Sequence, residues 1–185
     1  MSLVKIEASD DLLVHLAYGT EQNFTGKKIY QHSQCYLRPE AAACLYKAME
    51  LIKPFGLRFK ILDAFRPTEA QQILWDCVPD ETYVANPARG SNHSRGVAID
   101  LTLVDADGNE VDMGTPFDDF TVLSHHGNTQ ISLEAQTNRF ILLGAMSAAG
   151  WDFYRCEWWH YQLFDTKRFS LMGDSDLEQG MMKAA

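Results

Sequence analysis

The stretch that decides the fold reads Ser91-Asn92-His93-Ser94-Arg95-Gly96-Val97-Ala98-Ile99-Asp100-Leu101-Thr102-Leu103. Its second part, residues 96–103, predicts a β-strand, because apolar side chains recur at every other position and share one face. Asp100 falls on the opposite face of this apolar strand, where an unpaired buried carboxylate is costly. The sequence therefore predicts a partner for Asp100, and a metal ion is a strong one.

Two histidines can complete such a metal site. His93 lies in the loop that enters the strand, so it can turn back toward the face that carries Asp100. His160 ends a second distinctive segment, Glu157-Trp158-Trp159-His160. Two histidines and one aspartate leave the fourth tetrahedral position open, which is typical of a catalytic zinc rather than a structural one. We therefore predict one Zn²⁺ per chain, held by His93, Asp100 and His160.

Glu157 is the candidate general base of this site. A carboxylate beside zinc-activated water can accept its proton. Glu157 and His160 are three residues apart, however, and such positions point to opposite faces of a straight strand. The hypothesis therefore requires a bend in the backbone at residues 157–159.

The flanking sequence predicts a mixed domain of helices and strands. Helices are expected at residues 39 to about 53, 69 to about 77, and 133–149. Ser132 should cap the third helix and Gly150 should end it; its core stripe is predicted to be Leu133, Phe140, Ile141, Gly144 and Ala148. Strands are expected near residues 12–16, 57–65 and 151–164. Since there is no regular βαβ rhythm, we predict an α+β fold with a central antiparallel sheet flanked by helices.

The composition is that of a globular protein. Of the 185 residues, 46% are hydrophobic and 22% are charged, which predicts a single domain over residues 1–185, with a loosely ordered tail after about residue 169. The net charge of −9, from 25 acidic and 16 basic residues, disfavours a nucleic-acid partner.

The remaining composition signals concern location. No apolar run is long enough to cross a membrane, and the N-terminus lacks the apolar core of a secretory signal, so a cytoplasmic protein without a membrane partner is expected. The four cysteines form no Cys-x-x-Cys pair, which indicates free thiols in a reducing compartment. A homo-oligomer is compatible with the sequence.

Several motifs together resemble one enzyme family. Besides the two metal-site segments, they are Asn23-Phe24-Thr25-Gly26-Lys27, Asp63-Ala64-Phe65-Arg66-Pro67, Met113-Gly114-x-x-Phe117-Asp118, Ser124-His125-His126 and Gln136-x-Asn138-Arg139. In these motifs and in their order, the chain resembles the D-alanyl-D-alanine dipeptidases (VanX-like members of the zinc DD-peptidase family), whose fold is related to the hedgehog signalling domain. The similarity covers about residues 16–164, most of the chain.

The resemblance implies a catalytic set of residues. His93, Asp100 and His160 match the zinc ligands of the family, and Glu157 matches its general base. Arg66 matches the arginine that stabilises the transition state, although its residue type alone would favour an ordinary salt bridge. The implied reaction is hydrolysis of the dipeptide D-Ala-D-Ala to two molecules of D-alanine.

The resemblance also implies residues that bind the substrate. Asp118 matches the carboxylate that receives the free ammonium group of the dipeptide. Ser91 matches a residue near the substrate's C-terminal carboxylate, and Tyr83 matches a tyrosine that contacts the substrate. A carboxylate that requires a free N-terminus would explain selectivity for dipeptides.

Three other functions remain open from the sequence. The nearest is a carboxypeptidase that removes D-alanine from longer peptidoglycan peptides, against which Phe117-Asp118 argues. Non-haem Fe(II) oxygenases also use two histidines and a carboxylate, but six residues separate His93 from Asp100 here, and a glutamate precedes the third ligand. A metal-bearing binding module without activity is the third, and the complete set of ligands, base and arginine argues against it.

Overall fold

A computed structural model describes residues 2–182 of the chain. Over this range there are three α-helices, α1 (Pro39–Ile52), α2 (Thr68–Cys77) and α3 (Leu133–Ala149). The strands are β1 (Val4–Lys5), β2 (Leu12–Val14), β3 (Tyr36–Leu37), β4 (Arg58–Asp63), β5 (Ala98–Val104), β6 (Asp152–Phe153) and β7 (His160–Gln162). The predicted α+β class is confirmed, and no predicted helix end is displaced by more than one residue.

The main sheet has five strands in the order β2-β4-β5-β7-β6. Its neighbours are antiparallel as predicted, except for the outer pair β2 and β4, which is parallel. The connection between these two strands includes α1, and such a long crossover is what a parallel pair requires. Helices α1 and α3 pack on each other. Helix α1 also packs against β4, and α3 packs against β5.

Strand β5 lies at the centre of this sheet, and all seven of its residues are buried. Its third residue, Asp100, is paired with Asp63 on β4 and with His160 on β7. A register shift between Ile61 and Asp63 places Asp63 opposite Asp100. Directly paired residues of an antiparallel sheet share a face, so three strands bring Asp63, Asp100 and His160 into one row.

Helix α3 begins and ends where the sequence predicts. The Ser132 side chain accepts a hydrogen bond from the Ala135 amide at 2.9 Å, and Gly150 ends the helix with a φ of 109°. The predicted core stripe is wrong, however. Leu133 is 79% exposed and Phe140 is 62% exposed, whereas the inward residues are Ala135, Arg139, Leu142, Ala145, Met146 and Ala149.

The buried Arg139 accounts for the difference between the predicted and the observed inward face of α3. Its guanidinium is buried and donates to the carbonyl oxygens of Met113 and Leu123 at 2.7 and 2.8 Å. If arginine is assigned to the surface, the apolar pattern of α3 predicts that Phe140 faces the core. The hydrogen bonds that hold Arg139 inside come from a distant loop and leave no mark in the helix sequence.

This assignment predicts opposite outcomes for two alanine substitutions on α3. Leu142→Ala should lower the free energy of unfolding by about 2–5 kcal/mol, because it removes a fully buried side chain. Phe140→Ala should change it by only about 0.5 kcal/mol, because the ring is largely exposed. Urea denaturation of both variants measures the difference, and a larger loss for Phe140→Ala would contradict the orientation of the helix.

The C-terminal segment after Phe169 packs against the rest of the chain. Met181 is fully buried, and its amide and that of Met182 donate to the carboxylate of Asp174. The Met172 amide donates to the Ser94 carbonyl at 2.8 Å, beside the metal-site loop. This packing differs from the loose tail expected from the sequence, because one buried carboxylate organises a segment with no regular pattern. Residues 183–185 of that tail lie outside the described range.

Among residues 2–182, none of the helices has the length and apolar character that a membrane span requires. Cys35, Cys44, Cys77 and Cys156 are free thiols, as the sequence predicts.

Candidate active site

The three predicted metal ligands converge at the centre of the sheet. His93 opens a 3₁₀ turn (His93–Arg95) that ends at Gly96, whose φ of 72° lets the chain turn into β5. Asp100 Oδ2 lies 3.3 Å from His93 Nε2, and Asp100 Oδ1 lies 3.0 Å from His160 Nδ1. The two histidine nitrogens are 3.2 Å apart, and one ligand atom from each of the three residues lies within 4.8 Å of the others.

The outer nitrogens of both histidines are occupied by the protein. His93 Nδ1 lies 2.7 Å from the Ala64 carbonyl oxygen, which can only accept, so in the neutral ring Nε2 is the nitrogen that can bind a metal in the site. His160 Nε2 lies 3.2 Å from Gln162 Oε1, which leaves Nδ1 for the site. A metal-binding histidine usually has such a partner on its second nitrogen. This donor set therefore fits a divalent cation with one open position.

The electrostatics of Asp100 match this arrangement. Burial disfavours its ionised form, but the adjacent His93 and His160 outweigh this effect and hold the pKa of Asp100 below its usual range. The carboxylate is thus available as an anionic ligand at neutral pH.

The bend required for Glu157 is present. The chain turns between β6 and β7, where the Glu157 amide donates to the Tyr154 carbonyl at 3.2 Å and the His160 amide to the Glu157 carbonyl at 3.4 Å. As a result, Glu157 Oε2 lies 3.9 Å from His160 Nδ1. The base candidate and the third ligand candidate therefore meet at one point, although they are three residues apart.

The Glu157 carboxylate is buried close to other charged groups. Its side chain is buried, and burial raises the pKa of Glu157 well above its ordinary value, helped by the carboxylates of Asp100 and Asp118 and opposed by Arg66. A bound cation would favour the ionised form. A carboxylate poised between these influences is suited to accept a proton and release it again.

Arg66 reaches the site from the end of β4. Its Nε and Nη2 both lie 2.9 Å from Asp63 Oδ2, and Nη2 lies 3.6 Å from Asp100 Oδ2. The salt bridge with Asp63 that its residue type favours is therefore present, but it is buried rather than exposed. The guanidinium also offsets the repulsion between Asp63 and Asp100, which face each other across the two strands.

Asp118 has a left-handed backbone and a carboxylate of raised pKa. Its φ of 59° lies in the left-handed region, which few residues other than glycine adopt. Tyr18 donates its hydroxyl hydrogen to this carboxylate, at 3.1 Å from Oδ2 and 3.3 Å from Oδ1. Protein atoms crowd around the group, and this burial, together with the Asp100 carboxylate, raises the pKa of Asp118 well above its ordinary value. A cationic partner would relieve that cost.

One cleft of about 180 Å³ collects all eight predicted site residues. They are Arg66, Tyr83, Ser91, His93, Asp100, Asp118, Glu157 and His160. Ser91 is buried and its hydroxyl accepts a hydrogen bond from the His93 amide at 3.2 Å. The Tyr83 ring stacks on Phe120 with centroids 5.0 Å apart. The volume is below the roughly 300–1,000 Å³ of pockets for drug-sized ligands, so the cleft suits a small substrate.

The sequence did not identify two residues that help to shape this cleft. Tyr18 places its ring 5.1 Å from the guanidinium carbon of Arg66 and its hydroxyl against Asp118. Gln71, on α2, accepts a hydrogen bond from Arg66. Neither residue lies in a chemical motif, and both act through tertiary contacts with distant residues, so no local signal could have found them.

The chain matches known proteins over most of its length. A family described as D-Ala-D-Ala dipeptidase matches residues 3–175. A D-alanyl-D-alanine dipeptidase of Escherichia coli is 42% identical over 164 residues, which cover 89% of this chain and 85% of that protein. A D-alanyl-D-alanine dipeptidase of Enterococcus faecium is 37% identical over 169 residues, which cover 80% of this chain and 84% of that protein.

Among solved structures, the LD-carboxypeptidase LdcB is similar with a TM-score of 0.49 and 18% identity, over 72% of this chain and 61% of that one. The family match over residues 3–175 includes the segments that carry the metal-ligand candidates, the base candidate and Asp118. On the family match and on the two relatives, this chain belongs to the D-Ala-D-Ala dipeptidase family of peptidases.

Proposed function

We propose that this protein hydrolyses the dipeptide D-Ala-D-Ala to two molecules of D-alanine in a reaction that depends on zinc. One observation supports this most strongly. Three side chains suited to a metal ion lie beside a buried glutamate, in a cleft that also presents Arg66 and Asp118. The choice of D-Ala-D-Ala as the substrate rests on the relatives, which are named D-alanyl-D-alanine dipeptidase.

His93 Nε2, His160 Nδ1 and one oxygen of Asp100 would hold a single zinc ion in each chain. Two imidazole nitrogens and a carboxylate form a donor set that zinc accepts, and three protein ligands are typical of its catalytic sites. When bound, zinc supplies a water molecule of lowered pKa and polarises a carbonyl group.

Glu157 and Arg66 would act on the reacting atoms. The Glu157 carboxylate accepts a proton from the attacking water, whose oxygen forms a bond to the carbonyl carbon of the peptide. Glu157 then returns that proton to the amide nitrogen as the carbon–nitrogen bond breaks, so the second D-alanine leaves as an amine. Arg66 donates hydrogen bonds to the negative charge that develops on the carbonyl oxygen.

Asp118 would bind the free ammonium group of the substrate. Within residues 2–182 the partly buried Asp118 carboxylate forms no salt bridge, and a substrate ammonium would supply a cationic partner. Ser91 would lie near the C-terminal carboxylate of the dipeptide, and Tyr83 would form part of the wall that contacts it. An acylated N-terminus cannot pair with Asp118, which would leave the carboxylate buried without a charge partner.

This assignment separates a dipeptidase from a carboxypeptidase. The wild-type enzyme should prefer free D-Ala-D-Ala to an N-acylated tripeptide ending in D-Ala-D-Ala. Asp118→Asn should lower kcat/KM for the dipeptide by about 100-fold or more, because one buried charge pair is lost. Asparagine tolerates the left-handed backbone at this position, so the loop should keep its shape.

Steady-state kinetics with both substrates measure this prediction. Asp119→Asn, the same change one residue along, is the matched control and should leave the preference unchanged. Unaltered dipeptide turnover in Asp118→Asn would remove the proposed role, and a wild-type preference for the acylated tripeptide would favour the carboxypeptidase.

The same proposal includes a single domain over residues 1–185 and a cytoplasmic location. One cluster of buried apolar side chains is shared by α1, α2, α3 and the five-stranded sheet. The four free thiols suit a reducing compartment.

A further inference from the structure

Gln71 connects the support of Arg66 to the wall of the cleft. It lies on α2 and is only 1% exposed. Its Oε1 accepts a hydrogen bond from Arg66 Nη1 at 2.9 Å, and its Nε2 donates to the Ala85 carbonyl at 2.7 Å. If the amide were reversed, its NH₂ group would face the Arg66 N–H and its oxygen would face the Ala85 carbonyl oxygen. The two hydrogen bonds therefore fix the orientation of the amide.

The hydrogen bond to Gln71 adds a second point at which the Arg66 guanidinium is held. Asp63 Oδ2 accepts from Nε and Nη2 on one edge of Arg66, and its other oxygen accepts from the Tyr30 hydroxyl at 2.9 Å. Asp63 contacts that edge through the single oxygen Oδ2, so Asp63 alone would let the planar guanidinium rotate about that oxygen. Gln71 holds Nη1, so one N–H on each terminal nitrogen is left over from these bonds to donate to a substrate.

The second bond from Gln71 reaches a segment that has no helix or strand to hold it. Thr82, Tyr83, Val84 and Ala85 are consecutive lining residues of the cleft, in a loop between α2 and the metal-site turn. The loop is attached to the rest of the site through the Ala85 carbonyl on Gln71, and through the Thr82 carbonyl, which accepts from the Tyr154 hydroxyl at 2.9 Å. Gln71 therefore joins the wall that surrounds the substrate to the arginine that acts on it.

We propose that Gln71 is a positioning residue, which fixes the guanidinium of Arg66 and the cleft wall at Ala85 in one geometry. This inference rests on the proposed function, because it requires Arg66 to act on the reacting carbonyl. Misplacing a catalytic group by about 1 Å can cost about 100-fold in rate. Loss of both bonds at Gln71 should therefore slow the reaction without removing any group that touches the substrate.

The central test compares two neighbouring glutamines on α2. Gln71→Met keeps the length of the side chain and removes both bonds. It should lower kcat by about 10–100-fold, while the zinc content stays at one ion per chain. Gln72→Met is the matched control, because Gln72 is exposed and bonds only with Asp76 among the described residues. Unchanged kcat and KM in Gln71→Met would overturn the proposal.

Gln71→Glu distinguishes the effect of the bond to Arg66 from that of the bond to Ala85. It also tests the proposal if Gln71→Met fails to fold. A carboxylate still accepts from Arg66 but repels the Ala85 carbonyl. We expect kcat to stay within a few-fold of wild type while KM rises, because the arginine remains oriented and the wall moves. A folded, zinc-loaded Gln71→Glu enzyme that loses kcat as far as an Arg66→Lys enzyme would contradict the separation and the proposal.

A double-mutant cycle distinguishes failure of this inference from failure of the proposed function. If Gln71 acts through Arg66, Gln71→Met should have little further effect in an Arg66→Lys background. If the two effects multiply in full, Gln71 does not position Arg66, although Arg66 keeps its role. If Arg66→Lys alone leaves kcat unchanged, the proposed function of Arg66 is wrong, and the inference that depends on it fails with it.

Discussion

Replacing Glu157 by glutamine is expected to lower kcat for D-Ala-D-Ala by about 10²–10⁴-fold. Glutamine has the same shape but cannot accept and return the proton, so proton transfer should be lost. Because the proposed ligands are His93, Asp100 and His160, the variant should still bind one zinc ion per chain. Hydrolysis rates, with zinc measured on the same samples, test both statements.

Glu81→Gln is the matched control for this change. Glu81 lines the same cleft, but its carboxylate pairs with Arg89 at 2.8 Å and is not among the proposed ligands. Its neutralisation should leave kcat nearly unchanged. Hydrolysis that persists in Glu157→Gln would rule out Glu157 as the base, and a loss of zinc from that variant would indicate that Glu157 is a ligand instead.

Replacing His160 by alanine should remove both the metal and the activity. Changes to the hydrogen-bond partners of metal ligands alone weaken metal binding by about 10–100-fold, so loss of a direct ligand should weaken it further. Competition with a zinc chelator, followed by elemental analysis, measures this loss. His15→Ala changes an exposed histidine and should retain zinc.

The same experiment addresses the metal itself. Wild-type enzyme treated with the chelator should lose hydrolysis and regain it when zinc is returned. Full activity of metal-free His160→Ala would contradict the proposed site. Activity that requires added iron and dioxygen would instead support an oxygenase.

The sequence predicts the elements whose local signals are strong. Ser132 and Gly150 define α3, and the alternation around Asp100 identifies β5 and its polar face. The sequence also identifies the metal-ligand candidates, because Asp100 is a carboxylate inside an apolar strand. In each case, the information lies within a few residues of the element that it determines.

The remaining features depend on contacts that the local sequence does not show. Arg139 turns α3 because carbonyls of a distant loop accept its hydrogen bonds. In the sequence, Gln71 cannot be distinguished from other helical glutamines, because its contacts with Arg66 and Ala85 form only in the folded chain. Residue type alone favoured an ordinary salt bridge for Arg66, since only the folded chain places that bridge beside Asp100. The parallel pairing of β2 likewise depends on the path of the whole connection through α1.

The proposed role of Asp118 in binding the free amine ties the specificity of this enzyme to a left-handed backbone, which limits how that specificity can change over evolutionary time. Among the residues that one base change can reach from an aspartate codon, glycine and asparagine tolerate a positive φ well, whereas alanine and valine are strained there. A lineage that abandons recognition of a free amine can therefore keep this loop intact most easily through those two residues. Their presence at this position in descendant genes would mark enzymes in which selection for dipeptides has relaxed.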